Sequence, residues 1–208
     1  MPKHVLTFVC LFVISSAVLS LLSSAQERDT SDAYTNAITN RARKIVGTLK
    51  IDNKLKSQSV QDLITNQYRS LRRIHDDRDA KIALAEEPSN VDGNNAIKTM
   101  VWIEINAENQ LYALHRRFIS QLSAELTSEQ IERVKDGMTY GVVARTYAQY
   151  LKILPNLKST DKKVIKALLT EAREYAMDSG TSEEKHGWFR KYKGKINNYL
   201  SEAGYDQK

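Results

Sequence analysis

Apolar residues recur at steps of three and four along almost the whole of this chain, and that period constrains its fold more than any motif does. Val60, Ile64, Leu71 and Ile74 form one stripe, and Ile97, Val101, Ile105, Leu111, Leu114, Phe118 and Leu122 form a longer one. Val164, Leu168, Ala172 and Tyr175 supply a third, and Trp188, Tyr192, Ile196 and Tyr199 a fourth. No stretch of useful length alternates apolar and polar as a half-buried strand must. Thr99–Ile105 holds several β-branched residues but keeps the helical step. The expected fold is all-α, a single-domain bundle of six or seven helices.

Capping residues set the expected helix limits. The first helix runs from Ser31 to Leu49, and Asp52 caps a second that reaches Glu86. Pro88-Ser89-Asn90 and Asp92-Gly93-Asn94-Asn95 mark a loop, followed by a third helix over Ala96–Ala124. Thr127, with Gln130 three residues on, forms a capping box for a short fourth helix that stops at Gly137. Met138–Gly141 breaks the pattern, and a fifth helix then runs to Pro155. Thr160 caps a sixth, closed by Gly180, and Ser182 caps a last helix that Gly204 ends.

The amino terminus reads as a secretion signal over residues 1–25. Lys3 and His4 precede the apolar run Val5–Leu22, and Ser23-Ser24-Ala25 places small residues where cleavage requires them. The expected location is therefore the periplasm or the outside of the cell, with no stable membrane insertion after cleavage. The lone cysteine, Cys10, lies inside this segment, so residues 26–208, the expected helical domain, can form no disulfide, thiolate metal site or cysteine nucleophile. Removing residues 1–25 takes away Lys3 and no acid, leaving a net charge of +5. That excess favours anionic partners. For an exported protein an acidic oligosaccharide is expected and nucleic acid is not.

Polar side chains interrupt the apolar stripes in a pattern that calls for an explanation. Tyr68, Arg72, His75 and Asp79 share one face of the second helix. Glu108, Tyr112 and His115 border the stripe of the third, and burying such groups costs several kcal/mol unless they are paired. They therefore pair with one another, pair with a facing helix, or line a wet cleft. The histidines beyond the signal, His75, His115 and His186, each adjoin basic residues. Histidine exchanges a proton near neutral pH, and arginine grips carboxylate or sulfate with two parallel hydrogen bonds. That combination suits proton abstraction beside a carboxylate.

No HExxH, glycine-rich phosphate loop or GxSxG elbow occurs, and no cofactor is expected. A metal at His75-Asp76-Asp77 and Asp79 is opposed by Arg72, Arg73 and Arg78, so none is expected there. Several segments, RIHDDRDAK (73–81), LHRRF (114–118), LTSEQIERVKDGMTYGVV (126–143), YLKILPNL (150–157) and the block from Ala172 to Asp206, resemble a family of small exported helical proteins encoded in bacterial polysaccharide-utilisation clusters. The family is catalogued mainly as a domain of unknown function. The resemblance implies carbohydrate processing outside the cytoplasm. In its sharper form it is similar to the oligosaccharide dehydratase of ulvan breakdown, which removes water from a non-reducing-end uronic acid and leaves a 4,5-unsaturated uronate.

The resemblance assigns no catalytic residues, so the candidates come from the chemistry. His75 or His115 is the candidate base, and Tyr140 or His186 the acid. Arg72, Arg116 and Arg145 are candidates to hold the uronate carboxylate or a neighbouring sulfate. Tyr112, Lys193 and Asn197 are further candidate substrate contacts, and Trp188 or Tyr192 a candidate stacking surface; both aromatics also suit a core. A non-catalytic binder of acidic glycans or unfolded chains is the alternative reading. The oligomeric state is left open.

Overall fold

The computed structural model describes residues 32–86 and 93–205. The expected signal (1–25), the stretch to residue 31 and residues 87–92 of the expected loop lie outside the described residues. Contacts divide the chain after Arg41. The first unit is represented by the start of helix α1 (residues 32–47).

The second unit holds the rest of α1 and six further helices: α2 (Lys54–Ala85), α3 (Gly93–Glu125), α4 (Ser128–Met138), α5 (Val142–Ile153), α6 (Ser159–Met177) and α7 (Ser182–Glu202). No strand occurs among the described residues. The fold is all-α, as the apolar period predicts. No helix among the described residues is long and apolar enough to cross a membrane.

The long helices α2 and α3 pack along each other, and α6 packs against α7 and α5. α2 buries Val60, Ile64, Tyr68, Leu71 and Ile74, as its period requires. α3 departs from expectation in its first half. Its core face is Ile103, Ala107, Leu114, Phe118 and Leu122, whereas Ile97, Val101 and Ile105 are exposed. Ile103 lies two residues from Val101, about 200° round the helix. Both rows keep the same step, and only packing chose between them. A second core joins Val143, Ile165, Leu169, Phe189, Tyr192, Ile196 and Leu200 from α5, α6 and α7.

Three caps differ from expectation, because the residue one or two places away has the extended backbone that a cap needs. Asn53 rather than Asp52 caps α2, accepting from the Lys56 amide at 3.0 Å. Lys158 rather than Thr160 precedes α6. Thr181 rather than Ser182 caps α7, in a full capping box with Glu184. The Thr127–Gln130 box of α4 forms as read from the sequence. Thr181→Ala is therefore expected to cost about 1 kcal/mol, and Ser182→Ala almost nothing. Paired urea denaturation curves check this.

Candidate functional site

The carboxyl end of α6 gathers groups from four other helices. It is held in place from α7: Lys185, almost wholly buried, donates from Nζ to the carbonyls of Ala176 (2.9 Å), Met177 (3.3 Å) and Ser179 (3.1 Å). A cation at a helix carboxyl terminus satisfies carbonyls that have no partner within the helix. This fixes Asp178 and the turn after it.

Asp178 binds two of the three candidate histidines. His115 of α3 donates from Nδ1 to Asp178 Oδ2 at 2.7 Å. His75 of α2 donates from Nε2 to the Asp178 carbonyl at 2.8 Å. The two differ in access. His75 is 7% exposed, and its Nδ1 is buried without a hydrogen-bond partner among the described residues. The side chain of His115 is 20% exposed, and its Nε2 lies 3.7 Å from Glu174 Oε2. The Asp178 hydrogen bond, partly opposed by burial and assisted by the charges of Asp178 and Glu174, raises the His115 pKa above its usual value.

Glu174 and Asp178 stand four residues apart on α6 and so share a face. Behind Glu174, Arg173 is 3% exposed. It donates to Asp136 Oδ1 at 2.7 Å, to Glu132 Oε2, and to Glu174 Oε1 at 3.1 Å. Burial works against its charge, but Asp136 and Glu132 outweigh that and raise its pKa. Burial likewise pushes the Glu132 carboxyl up, yet Arg173 and Lys135 bring it below its usual value. Lys135 completes the group, 2.9 Å from Glu174 Oε2. α3, α4 and α6 thus carry an imidazole, two cations and four carboxylates in one connected network.

The turn after Asp178 is tight against α2. A Cβ built on Gly180 would lie 2.8 Å from Cγ and 3.0 Å from Cδ2 of the His75 ring. The base of a buried ring cannot swing aside as a flexible chain end can. Gly180→Ala is expected to cost about 1–3 kcal/mol by overpacking. A drop in the thermal midpoint would show it, and an unchanged midpoint would mean that the turn yields.

The remaining candidates lie elsewhere. His186 and Tyr140 stack on each other with ring centroids 6.1 Å apart. Among the described residues neither bonds to the His115–Asp178 pair. Tyr140 has φ +59°, a left-handed conformation unusual for a tyrosine, in the turn that closes α4. Arg145 Nη2 donates to its carbonyl at 2.8 Å. Arg72 pairs with Asp76 at 3.1 Å on the exposed face of α2. Arg116 lies over the exposed Tyr112 ring, 5.6 Å from its centroid. Asn197 accepts from the Tyr150 hydroxyl at 2.7 Å, and with Lys193 it lines a pocket of about 220 Å³ between α5 and α7. Trp188 stacks on Tyr175, and Tyr192 is buried. The candidate metal acids on α2 are each paired: Asp76 with Arg72, Asp77 with Lys81 and Asp79 with Arg78.

Sequence reasoning identified His115 and His75 but missed Asp178, Glu174, Arg173, Lys135 and Tyr175. The one signal was Arg173 itself, since a residue three places before Ala176 and four after Leu169 falls on the buried side of α6. An arginine there requires acids to meet it. Of the alternatives for Glu108 and His115, pairing with each other does not occur: Glu108 is exposed. His115 found its acid on a facing helix.

A comparison with curated proteins finds no match. A family model matches residues 35–208, a span that takes in every helix from α2 to α7 and most of α1. The chain belongs to the family described as Protein of unknown function (DUF3826).

Proposed function

We propose that the protein is an exported carbohydrate-active lyase. It removes water from the non-reducing-end uronate of acidic oligosaccharides, such as those from ulvan, and leaves a 4,5-unsaturated uronate. The observation that carries this reading is the His115–Asp178 pair, which is reachable by solvent and has Glu174 on the other side of the ring. The resemblance to polysaccharide-utilisation proteins supports the substrate class.

The elimination needs a base at C5 and an acid at the C4 oxygen. The raised pKa of His115 favours the imidazolium, which makes it the acid. Glu174 takes the C5 proton, and that electron pair closes the C4–C5 double bond. The C4–O bond breaks, and His115 Nε2 gives its proton to the departing oxygen, which leaves as water. Glu174 then returns its proton to Nε2, 3.7 Å away, restoring both groups. Lys135 supplies positive charge beside Glu174. His75 is a positioning residue that holds the Asp178 backbone.

A non-catalytic glycan binder is the second reading, favoured by the exposed basic residues Arg190, Lys191, Lys193 and Lys195 on α7. Incubation of the protein with uronate-terminated oligosaccharides separates the two. Growth of ultraviolet absorbance from the conjugated double bond, with loss of one water by mass, is the expected result. Binding without either change would leave the second reading standing and remove the first.

A further inference from the structure

We infer that Tyr175, backed by Trp188, is an aromatic platform for the pyranose ring that follows the terminal uronate. The inference rests on the placement of the reacting centre at His115 and Glu174.

Tyr175 is 47% exposed, although the apolar period of α6 reads it as core. Its ring stacks on Trp188 of α7 at 4.5 Å between centroids, with planes 17° apart. Stacking on Trp188 covers one face of the Tyr175 ring, and nearly half of the residue stays open to solvent. A second aromatic, Tyr192, lies 6.2 Å from Tyr175 and is buried beneath the pair. The platform is therefore rigid before any ligand arrives, which lowers the entropy cost of binding.

Position and charge indicate the occupant. Tyr175 stands three residues before Asp178, a spacing that makes the two neighbours on the surface of α6, and Asp178 holds the His115 ring. A sugar ring presents an apolar C–H face that packs on an aromatic face. Lys191 Nζ sits over the Trp188 ring at 4.8 Å, and Lys195 Nζ over Tyr192 at 4.2 Å. The network around His115 carries four carboxylates to two cations, so it does little to attract an anion. The lysines of α7 supply that attraction, and they stand at the aromatic stack. An acidic oligosaccharide longer than one residue satisfies both features at once.

The protein has two tryptophans, Trp102 and Trp188. Trp102 is 63% exposed on α3, so Trp102→Phe leaves Trp188 as the single reporter without touching a core. This variant is titrated with a glucuronate-terminated disaccharide and tetrasaccharide, reading tryptophan fluorescence. Saturable change is expected with both, and Tyr175→Ala in the same background should weaken binding about tenfold, while Tyr175→Phe, which keeps the ring, should not. Circular dichroism confirms that each variant is folded. No fluorescence change on titration, or equal affinity in the Tyr175→Ala protein, would overturn the platform. Binding that depends on Tyr175 but yields no unsaturated product would keep the platform and overturn the dehydratase reading instead.

Discussion

Replacing His115 with glutamine is expected to lower kcat/KM for a uronate-terminated oligosaccharide by about 10²–10⁴-fold, the usual range for loss of a positioned proton donor. Glutamine fills much of the same space and can still donate to Asp178, so the helices stay together. The loss should fall on kcat, because the proposed elimination uses the imidazole when the C4–O bond breaks. The pH profile carries a second signature. The hydrogen bond to Asp178 raises the His115 pKa, so the imidazolium persists above the ordinary histidine range near about 6.5. Activity that needs it is present at lower pH and is lost as pH rises through the raised value. Asp178→Asn removes the charge that raises it, and the alkaline limb should move to lower pH. A purely structural histidine would not move that limb. Stability follows the same sign: the contribution of the pair is complete below the unfolded pKa and disappears as pH rises through the folded one. An unchanged rate in His115→Gln would take the imidazole out of the chemistry.

The largest expected loss of stability comes from Arg173→Met. Arg173 is buried, and three carboxylates from α4 and α6 close on its guanidinium. Methionine matches the length of the side chain but leaves Glu132, Asp136 and Glu174 facing one another with only Lys135 between them. Breaking a buried ion network costs about 3–5 kcal/mol, and the lower end applies because the carboxylates reach solvent. At about 2–4 °C per kcal/mol for a chain of this size, the thermal midpoint should fall by about 6–12 °C. The loss should shrink at acid pH, where the freed carboxyls take up protons and stop repelling. A midpoint within a degree or two of wild type would mean that Arg173 contributes little net energy and serves only to orient Glu174.

Some of the site could be read from residue order. His115 borders the stripe of α3, and a half-buried imidazole there required an acid partner. Which acid it met was a matter of tertiary packing, since Asp178 lies 63 positions away. Asp178 itself gave no warning: as the residue after the last turn of α6 it resembles any polar helix end. The candidate arginines failed to converge for a different reason. Arg72 and Arg116 have partners one helical turn away, and a local partner on an exposed face is easier to reach than a distant cleft. Arg173, which does reach the site, has its carboxylate partners Glu132 and Asp136 on another helix, where no local spacing points to them.

What residue order determined by itself is the class of the fold and the position of its joints. A period of three to four residues can bury its apolar side chains only as a helix, and Thr127 with Gln130 stops and starts the chain through bonds made within four residues. What only the tertiary structure decided is which side of a helix faces inward and which distant groups meet. α3 carries two apolar rows on opposite sides with the same step, and α2 covered one of them. The two histidines meet at Asp178, at the end of α6 that Lys185 holds from the next helix. Local interactions repeat along the chain and leave a period behind, whereas contacts between helices depend on the packing of the whole and leave none.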